Sequence, residues 1–243
     1  MSGGRQRLDR LLVERGLADS REKSQALIMA GQVLVNSQKA QKAGQLVATD
    51  AALDVLSRPQ FVSRGGLKLA AALTHFRIDV TGKVALDVGA STGGFTDCLL
   101  QAGAVKVHAV DVGSGQLDWK MRSDPRVVLH ENLNARHLAF EDIGEHAHIL
   151  VCDVSFISVT MILPNAVALL EPEGEMVVLV KPQFEAGRGQ VGAGGIVRDP
   201  AVHALACERV EAAVQALGFR TALIDSPILG AEGNKEFLLH GRH

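Results

Sequence analysis

From residue 84 to residue 240 the sequence alternates short β-prone apolar runs with segments of helical spacing, and this alternation limits the fold more than any other feature. The runs are 84–88 (VALDV), 106–112 (KVHAVDV), 126–130 (RVVLH), 148–154 (HILVCDV), 175–180 (EMVVLV), 220–225 (RTALID) and 235–240 (KEFLLH). Helical patterns such as 158–170 and 201–217 separate most of them, which is the signature of a parallel, doubly wound sheet. The stretch between the last two runs, 225–234, is too short for a crossover helix, so that pair is expected to be antiparallel. The expected body is therefore α/β, a mostly parallel seven-stranded sheet with one antiparallel strand.

In open α/β sheets ligands bind beyond the carboxyl ends of the strands, and the first strand-to-helix turn is the usual place. Here that turn begins at Gly89. A dinucleotide fingerprint needs G-x-G-x-x-G, but Ala90 and Ser91 follow Gly89, so the glycine that admits a pyrophosphate is missing. The phosphate-loop pattern matches at Gly89, Gly94 and Thr96, yet Phe95 stands in the place of its lysine. Asp87, just before the loop, repels phosphate and suits a ligand with an ammonium or sulfonium charge; S-adenosyl-L-methionine has both. Asp111, at the end of the second strand, is placed to accept hydrogen bonds from ribose hydroxyls. The competing reading keeps these glycines for close helix–strand packing alone. The arrangement resembles the methyltransferase variant of the Rossmann fold, in which the seventh strand inserts antiparallel beside the fifth.

Four side chains stand where catalysis is expected. Asp153 ends the fourth strand and Lys181 the fifth, Glu236 opens the last, and Lys68 lies in the helical pattern 63–73 before the first. Taken singly, Lys181 also reads as a phosphate-binding lysine and Glu236 as an edge-strand charge. Together they suit methylation of a sugar hydroxyl, a poor nucleophile that needs orientation and a proton acceptor. Lys181 is the expected centre, accepting the proton with its basicity lowered by Lys68, while Asp153 and Glu236 hold the ammonium groups.

The first part of the chain has a different character. Residues 1–70 carry 11 Lys and Arg against 6 Asp and Glu, whereas the rest carries 14 against 21. A basic head on an acidic body suggests a grip on a polyanion, with an ordinary solvated surface as the bland alternative. Residues 8–15 have helical spacing and stop at Gly16; Ser20 opens a second helix, 21–30, that ends at Gly31. A strand-like run, 33–36, leads into a polar turn containing Lys39 and Lys42, and 45–56 is a further β-prone piece. Arg58-Pro59 marks the expected linker, giving domains 1–59 and 60–243. Residues 7–36 resemble the alpha-L RNA-binding motif, which implies that Arg7, Arg21 and Lys23 face RNA phosphates, contacts that position an RNA without reading its sequence. Lys39, Lys42 and Arg64 complete the expected RNA-binding set. A small protein-docking unit is the alternative.

The body is similar to the FtsJ-type ribose 2'-O-methyltransferases, whose Lys-Asp-Lys-Glu tetrad falls on Lys68, Asp153, Lys181 and Glu236. The whole chain, from about residue 7 to 240, resembles the TlyA (haemolysin A) family through 63–69 (SRGGLKL), 87–100, 109–113, 153–158 (DVSFIS) and 181–185 (KPQFE). That resemblance implies a class I methyltransferase domain behind a small α+β alpha-L domain. It also implies S-adenosyl-L-methionine as cofactor and 2'-O-methylation of cytidine in ribosomal RNA, in the large subunit alone or in both. Beside Asp87, Gly89, Ser91, Asp111 and Asp153, it aligns Gly93, Phe95 and Asn132 with cofactor contacts, Asn132 standing where an acidic residue is common.

Three other readings compete with this one. A base-directed RNA methyltransferase is disfavoured because 153–156 (DVSF) lacks the two prolines that shape an acceptor for an amino group. A membrane-lytic protein finds no transmembrane or strongly amphipathic cationic segment, and an RNA-binding ribosome-assembly factor without activity sits poorly with an intact tetrad. Three scattered cysteines, Cys98, Cys152 and Cys207, match no metal or redox spacing, so no metal is expected. With no signal segment, a cytoplasmic protein is expected, acting on ribosomal RNA or subunits as a monomer. The glycine-rich stretch 183–199 reads equally as a lid over RNA or as a loop without a role.

Overall fold

The computed structural model describes residues 4–56, 60–187 and 189–243, so the expected linker at Arg58 and Pro59 lies outside the described residues. The chain divides into two compact units, residues 1–59 and 60–243.

In the first unit β1 (Arg5–Arg7) leads into α1 (Leu8–Glu14) and α2 (Arg21–Met29), followed by β2 (Val33–Val35), β3 (Gln38–Lys39), β4 (Leu46–Ala48) and β5 (Leu53–Val55). Ser20 caps α2 as expected, its hydroxyl oxygen accepting from the Lys23 amide at 3.2 Å. Leu8, Leu12 and Val33 are fully buried, with Leu11, Ile28 and Val47 packed around them. Two details differ from the sequence expectation. The β-prone piece 45–56 is two strands serving different sheets, β4 paired with β1 and β5 with β2, because the chain turns between them, Ala51 N donating to Ala48 O. Lys39 lies on β3 rather than in a turn. Strands of two or three residues fall below the length at which alternation can be read.

The second unit contains α3 (Gly65–Phe76), β6 (Val84–Val88), α4 (Gly94–Gln101), β7 (Lys106–Val110), α5 (Trp119–Arg122), β8 (Val127–His130), α6 (Phe140–Ile143), β9 (Ala147–Cys152), α7 (Leu163–Val167), β10 (Leu170–Val180), α8 (Pro182–Glu185), α9 (Pro200–Ala216), β11 (Arg220–Asp225) and β12 (Phe237–Arg242). Among the described residues the strands form one seven-stranded sheet in the order β11-β12-β10-β9-β6-β7-β8. β12 is antiparallel to both β10 and β11, and the other pairs are parallel. The last strand thus inserts beside the fifth, as expected. Alternation along the strands feeds two cores: Leu86 and Val88 face one, Ala85 the other.

The expected helix 158–170 is broken into a single turn of 3-10 helix at Val159–Met161 and α7, and Leu170 already belongs to β10. Pro164 lies at the first turn of α7, where its missing N–H costs nothing; in a continuous helix its ring would clash with the preceding turn. Among the described residues no helix is long and apolar enough to cross a membrane.

Candidate active site

The parallel strands β6, β7 and β9 end on one rim of the sheet, and a crevice of about 450 Å³ opens there, within the range of ligand pockets, roughly 300–1,000 Å³. Its walls are largely apolar, with Val88, Val110, Val112, Leu133, Ile157 and Ile162 prominent; Ser91, Asp111, Gln116, Asn134 and Asp153 supply polar groups. Gly89 forms part of the floor at φ +88°, and a Cβ there would stand 2.5 Å from the Asp153 carbonyl oxygen. Only glycine permits that approach between the first and fourth strand ends. Asp111 is pinned by the backbone, accepting from Ser91 N at 2.8 Å and Gly113 N at 2.7 Å. Its carboxylate is thereby fixed at the wall with lone pairs to spare, as a ribose diol requires.

A second hollow of about 170 Å³ adjoins the first, sharing Gly89, Ser91, Asp153 and Ser155 with it and adding Lys68, Phe95 and Lys181. Of the four expected catalytic side chains, Lys68, Asp153 and Lys181 line this hollow and Glu236 is bonded to Lys68, so that they form two pairs. Lys68 Nζ, on α3, donates to Glu236 Oε2 at 2.5 Å, both side chains being almost wholly buried. Glu236 precedes β12 by one residue and is packed against Gly230, where a Cβ would meet its Oε1 at 2.0 Å. Lys181 Nζ stands 2.6 Å from Asp153 Oδ1. Asp153 Oδ1 has no partner besides this ammonium, while Nζ donates to Ser155 Oγ at 2.8 Å.

Other expected site residues lie elsewhere. Asp87 does not face the crevice: it is fully buried, and its Oδ2 accepts from Thr96 Oγ1 of α4 at 2.6 Å. It shares the sheet face of Ala85, so the alternation of β6 aims it at α4. Burial, opposed by the Thr96 hydrogen bond and reinforced by the charges of Asp153 and Asp111, pushes its pKa up to about 7. Gly93 caps α4 at φ +92° and is hemmed in by Leu117 and Met121; it shapes the loop from behind. Asn132, at φ +57°, belongs to a turn in which its N–H donates to Gly113 O. Leu133, Asn134 and Ala135, rather than Asn132, line the crevice, because that left-handed turn presents the residues after it. Arg64 is exposed beside the smaller hollow's Ser63 and Gly65, and its Nη2 donates to Leu229 O at 2.7 Å.

In the first unit, Arg7 and Arg21 share one buried carboxylate. Asp9, fully buried, accepts from Arg7 Nε and Nη2 and from Arg21 Nε, with Gln25 as a further donor. The Arg7 contact outweighs burial and holds the Asp9 carboxyl well below the usual range. Lys23 pairs with Asp19 on the surface; Lys39 and Lys42 are exposed.

Two contributors escaped the sequence reading. Ser155 gives Lys181 its aligned hydrogen bond. Phe156 is 92% exposed at φ +67°, lines the mouth of the larger crevice and meets the Phe184 ring at 5.3 Å between centroids. A bulky residue in that backbone region is uncommon and marks a held conformation. An aromatic three residues after Asp153 was the available signal.

Comparison with known proteins identifies the families to which the two units are similar. Residues 61–243 match the FtsJ-like methyltransferase family and residues 6–52 the S4 domain. The 16S/23S rRNA (cytidine-2'-O)-methyltransferase TlyA of Mycobacterium tuberculosis is 47% identical over 97% of this chain and 89% of that protein. Hemolysin A of Brachyspira hyodysenteriae is 44% identical over 96% of this chain and 98% of that protein. A solved structure from Streptococcus thermophilus, provisionally named a hemolysin, superposes with a TM-score of 0.74 at 43% identity, covering 100% of this chain and 89% of that one.

Proposed function

The chain belongs to the FtsJ-like methyltransferase family and carries an S4 domain at its N-terminus, and from that premise we propose that it methylates the ribose 2'-hydroxyl of a cytidine in ribosomal RNA. The substrate is large-subunit RNA, alone or together with small-subunit RNA, and the reaction belongs to the cytoplasm. The observation that carries this reading is the convergence of two lysine–carboxylate pairs on a hollow continuous with a ligand-sized crevice.

The crevice fits S-adenosyl-L-methionine. Asp111 suits the ribose hydroxyls, Val110, Val112 and Leu133 offer an apolar slot for the adenine, and Gly89 and Ser91 leave the backbone open to the methionine portion. When bound, this cofactor supplies a methyl group on a sulfonium, electrophilic enough that a hydroxyl needs only orientation and a destination for its proton. Lys181 Nζ, held by Asp153 and Ser155, orients the hydroxyl oxygen. The proton leaves into the Lys181–Asp153 pair, where Asp153 Oδ1 has no partner besides Nζ. Lys68, neutralised by Glu236, bounds the same hollow and limits the poses a ribose can take. The exposed Phe156 ring offers a stacking surface for the base. In the head, Arg7 and Arg21, set by Asp9, and the exposed Lys23, Lys39 and Lys42 contact RNA phosphates, with Arg64 serving the same end in the catalytic unit.

Transfer of labelled methyl from S-adenosylmethionine to unmodified ribosomal subunits, with the product mapped by 2'-O-methyl sequencing, tests this. Label on a cytidine ribose that is lost in Lys181→Ala is the expected result. Label on a base would overturn ribose chemistry, and RNA binding without transfer would make the chain a binding factor.

A further inference from the structure

Behind Lys181 lies a carboxylate that the reaction itself does not use. Glu185 closes α8, is 4% exposed, and turns its side chain toward the segment that follows Asp153. Ser158 Oγ donates to its Oε2 at 2.5 Å and Val159 N donates to its Oε1 at 2.8 Å. Thr160 Oγ1 lies 2.7 Å from Ser158 Oγ; since the Ser158 proton points at the carboxylate, Thr160 is the donor there. From the other side, Arg209 Nη1 of α9 donates to the Glu185 carbonyl oxygen at 3.0 Å.

The placement gives these contacts their meaning. β9 and β10 are neighbouring parallel strands, and the arms that leave them carry Asp153 and Lys181. The arms touch first where Lys181 meets Asp153 and Ser155, then where Phe184 meets Phe156, and last where Glu185 grips Ser158 and Val159. Between the first and last contacts Phe156 is held in its left-handed conformation. A buried carboxylate is costly unless its hydrogen bonds are satisfied, and here both oxygens are spent on one turn of the neighbouring arm.

We propose that Glu185 is a positioning residue: it clasps the 155–160 segment to the Lys181 arm and so fixes Ser155 and Phe156 relative to Lys181 Nζ. This rests on the reading of the hollow as a ribose methylation site. Glu185 touches neither the reacting atoms nor the cofactor crevice, but the segment it clasps carries Phe156 and Ile157 of the crevice wall, so its removal acts on turnover more than on cofactor affinity.

The experiment compares full-length wild type, Glu185→Ala, Glu185→Gln and Ser158→Ala in methyl transfer to ribosomal subunits. S-adenosylmethionine affinity is measured by calorimetry, and amide hydrogen exchange is followed across residues 155–160. Glutamine keeps the clasp, its carbonyl accepting from Val159 N and its amide donating to Ser158 Oγ. Glu185→Ala is expected to lose roughly 10- to 100-fold in kcat, as a small misplacement at a reacting centre does, with a smaller loss of cofactor affinity and faster exchange at 155–160. Glu185→Gln is expected to restore both rate and protection. Wild-type kcat in Glu185→Ala, or equal losses in the alanine and glutamine variants accompanied by a lower melting temperature, would overturn the proposal. Should Glu185→Ala not fold, Ser158→Ala decides: reduced kcat at an unchanged melting temperature supports the clasp, and unchanged kcat and exchange refute it. If wild type transfers no methyl to RNA, the ribose reading fails on its own. Exchange at 155–160 then still judges the clasp, faster in Glu185→Ala if it exists and unaltered if it does not.

Discussion

Lys68 and Glu236, 168 residues apart in sequence, meet at 2.5 Å with only 10% and 2% of their side chains exposed. Removing one partner of such a pair leaves the other charge buried and uncompensated, which costs about 3–5 kcal/mol. Lys68→Met or Glu236→Leu alone should therefore lower the urea midpoint sharply. The double variant should recover most of that loss while methyl transfer stays abolished. Recovered stability with recovered activity would show the pair to be structural only.

Gly89→Ala strikes the crevice floor. The added Cβ meets the Asp153 carbonyl at 2.5 Å, and the residue must hold φ +88°, so the strand ends must part or the loop must flip. We expect a stability loss of about 1–3 kcal/mol and loss of S-adenosylmethionine binding by calorimetry. Wild-type affinity in this variant would place the cofactor elsewhere.

Asp87 makes stability depend on pH. Its pKa rises from 3.8 to about 7 in the folded chain, so the folded state keeps a proton that the unfolded chain has released. The associated stability is complete below about pH 4 and is lost as pH rises through 7, by about 1.4 kcal/mol per unit. Asp87→Asn can still accept from Thr96 and has no proton to lose. Its urea midpoint should change less between pH 5 and 8 than that of wild type. Parallel pH profiles in the two proteins, whatever the offset between them, would refute the assignment.

Asp9→Asn separates two accounts of RNA binding. It raises the head's positive charge, which by long-range attraction alone would tighten binding. It also removes the carboxylate that aligns Arg7 and Arg21, and if those guanidiniums must be pre-set, binding weakens. We expect a loss of roughly three- to tenfold in affinity and a shallower salt dependence, measured by filter binding across a salt series. Tighter binding would show that orientation does not matter.

Much of the body was legible because strands and helices announce themselves through local periodicity. The seven runs became strands, and the short 225–234 connection was enough to foresee an antiparallel insertion. Failures came where a local pattern meets a local exception or a partner far away. Pro164 divides a segment whose apolar spacing reads as one helix, and β1 and β3 are too short to show alternation. Asp87 looked like a ligand contact because it adjoins the glycine loop, yet its direction was set by which face of β6 it occupies. Glu185 ends the 181–185 motif, yet nothing in that motif gave it a role, since its partners Ser158 and Val159 are ordinary residues on another strand's arm.

Local order, then, was determined by the sequence itself: the turn glycines, the Ser20 cap, the strand ends at Asp153 and Lys181, and a loop unsuited to phosphate all follow from residue type and spacing. The tertiary structure alone decided the partners. Which lysine meets which carboxylate, that Ser155 aligns Lys181, and that Arg7 and Arg21 share Asp9 depend on strand order and burial. These arise from packing the whole sheet, and local spacing holds no record of contacts between residues made neighbours only by the folded chain.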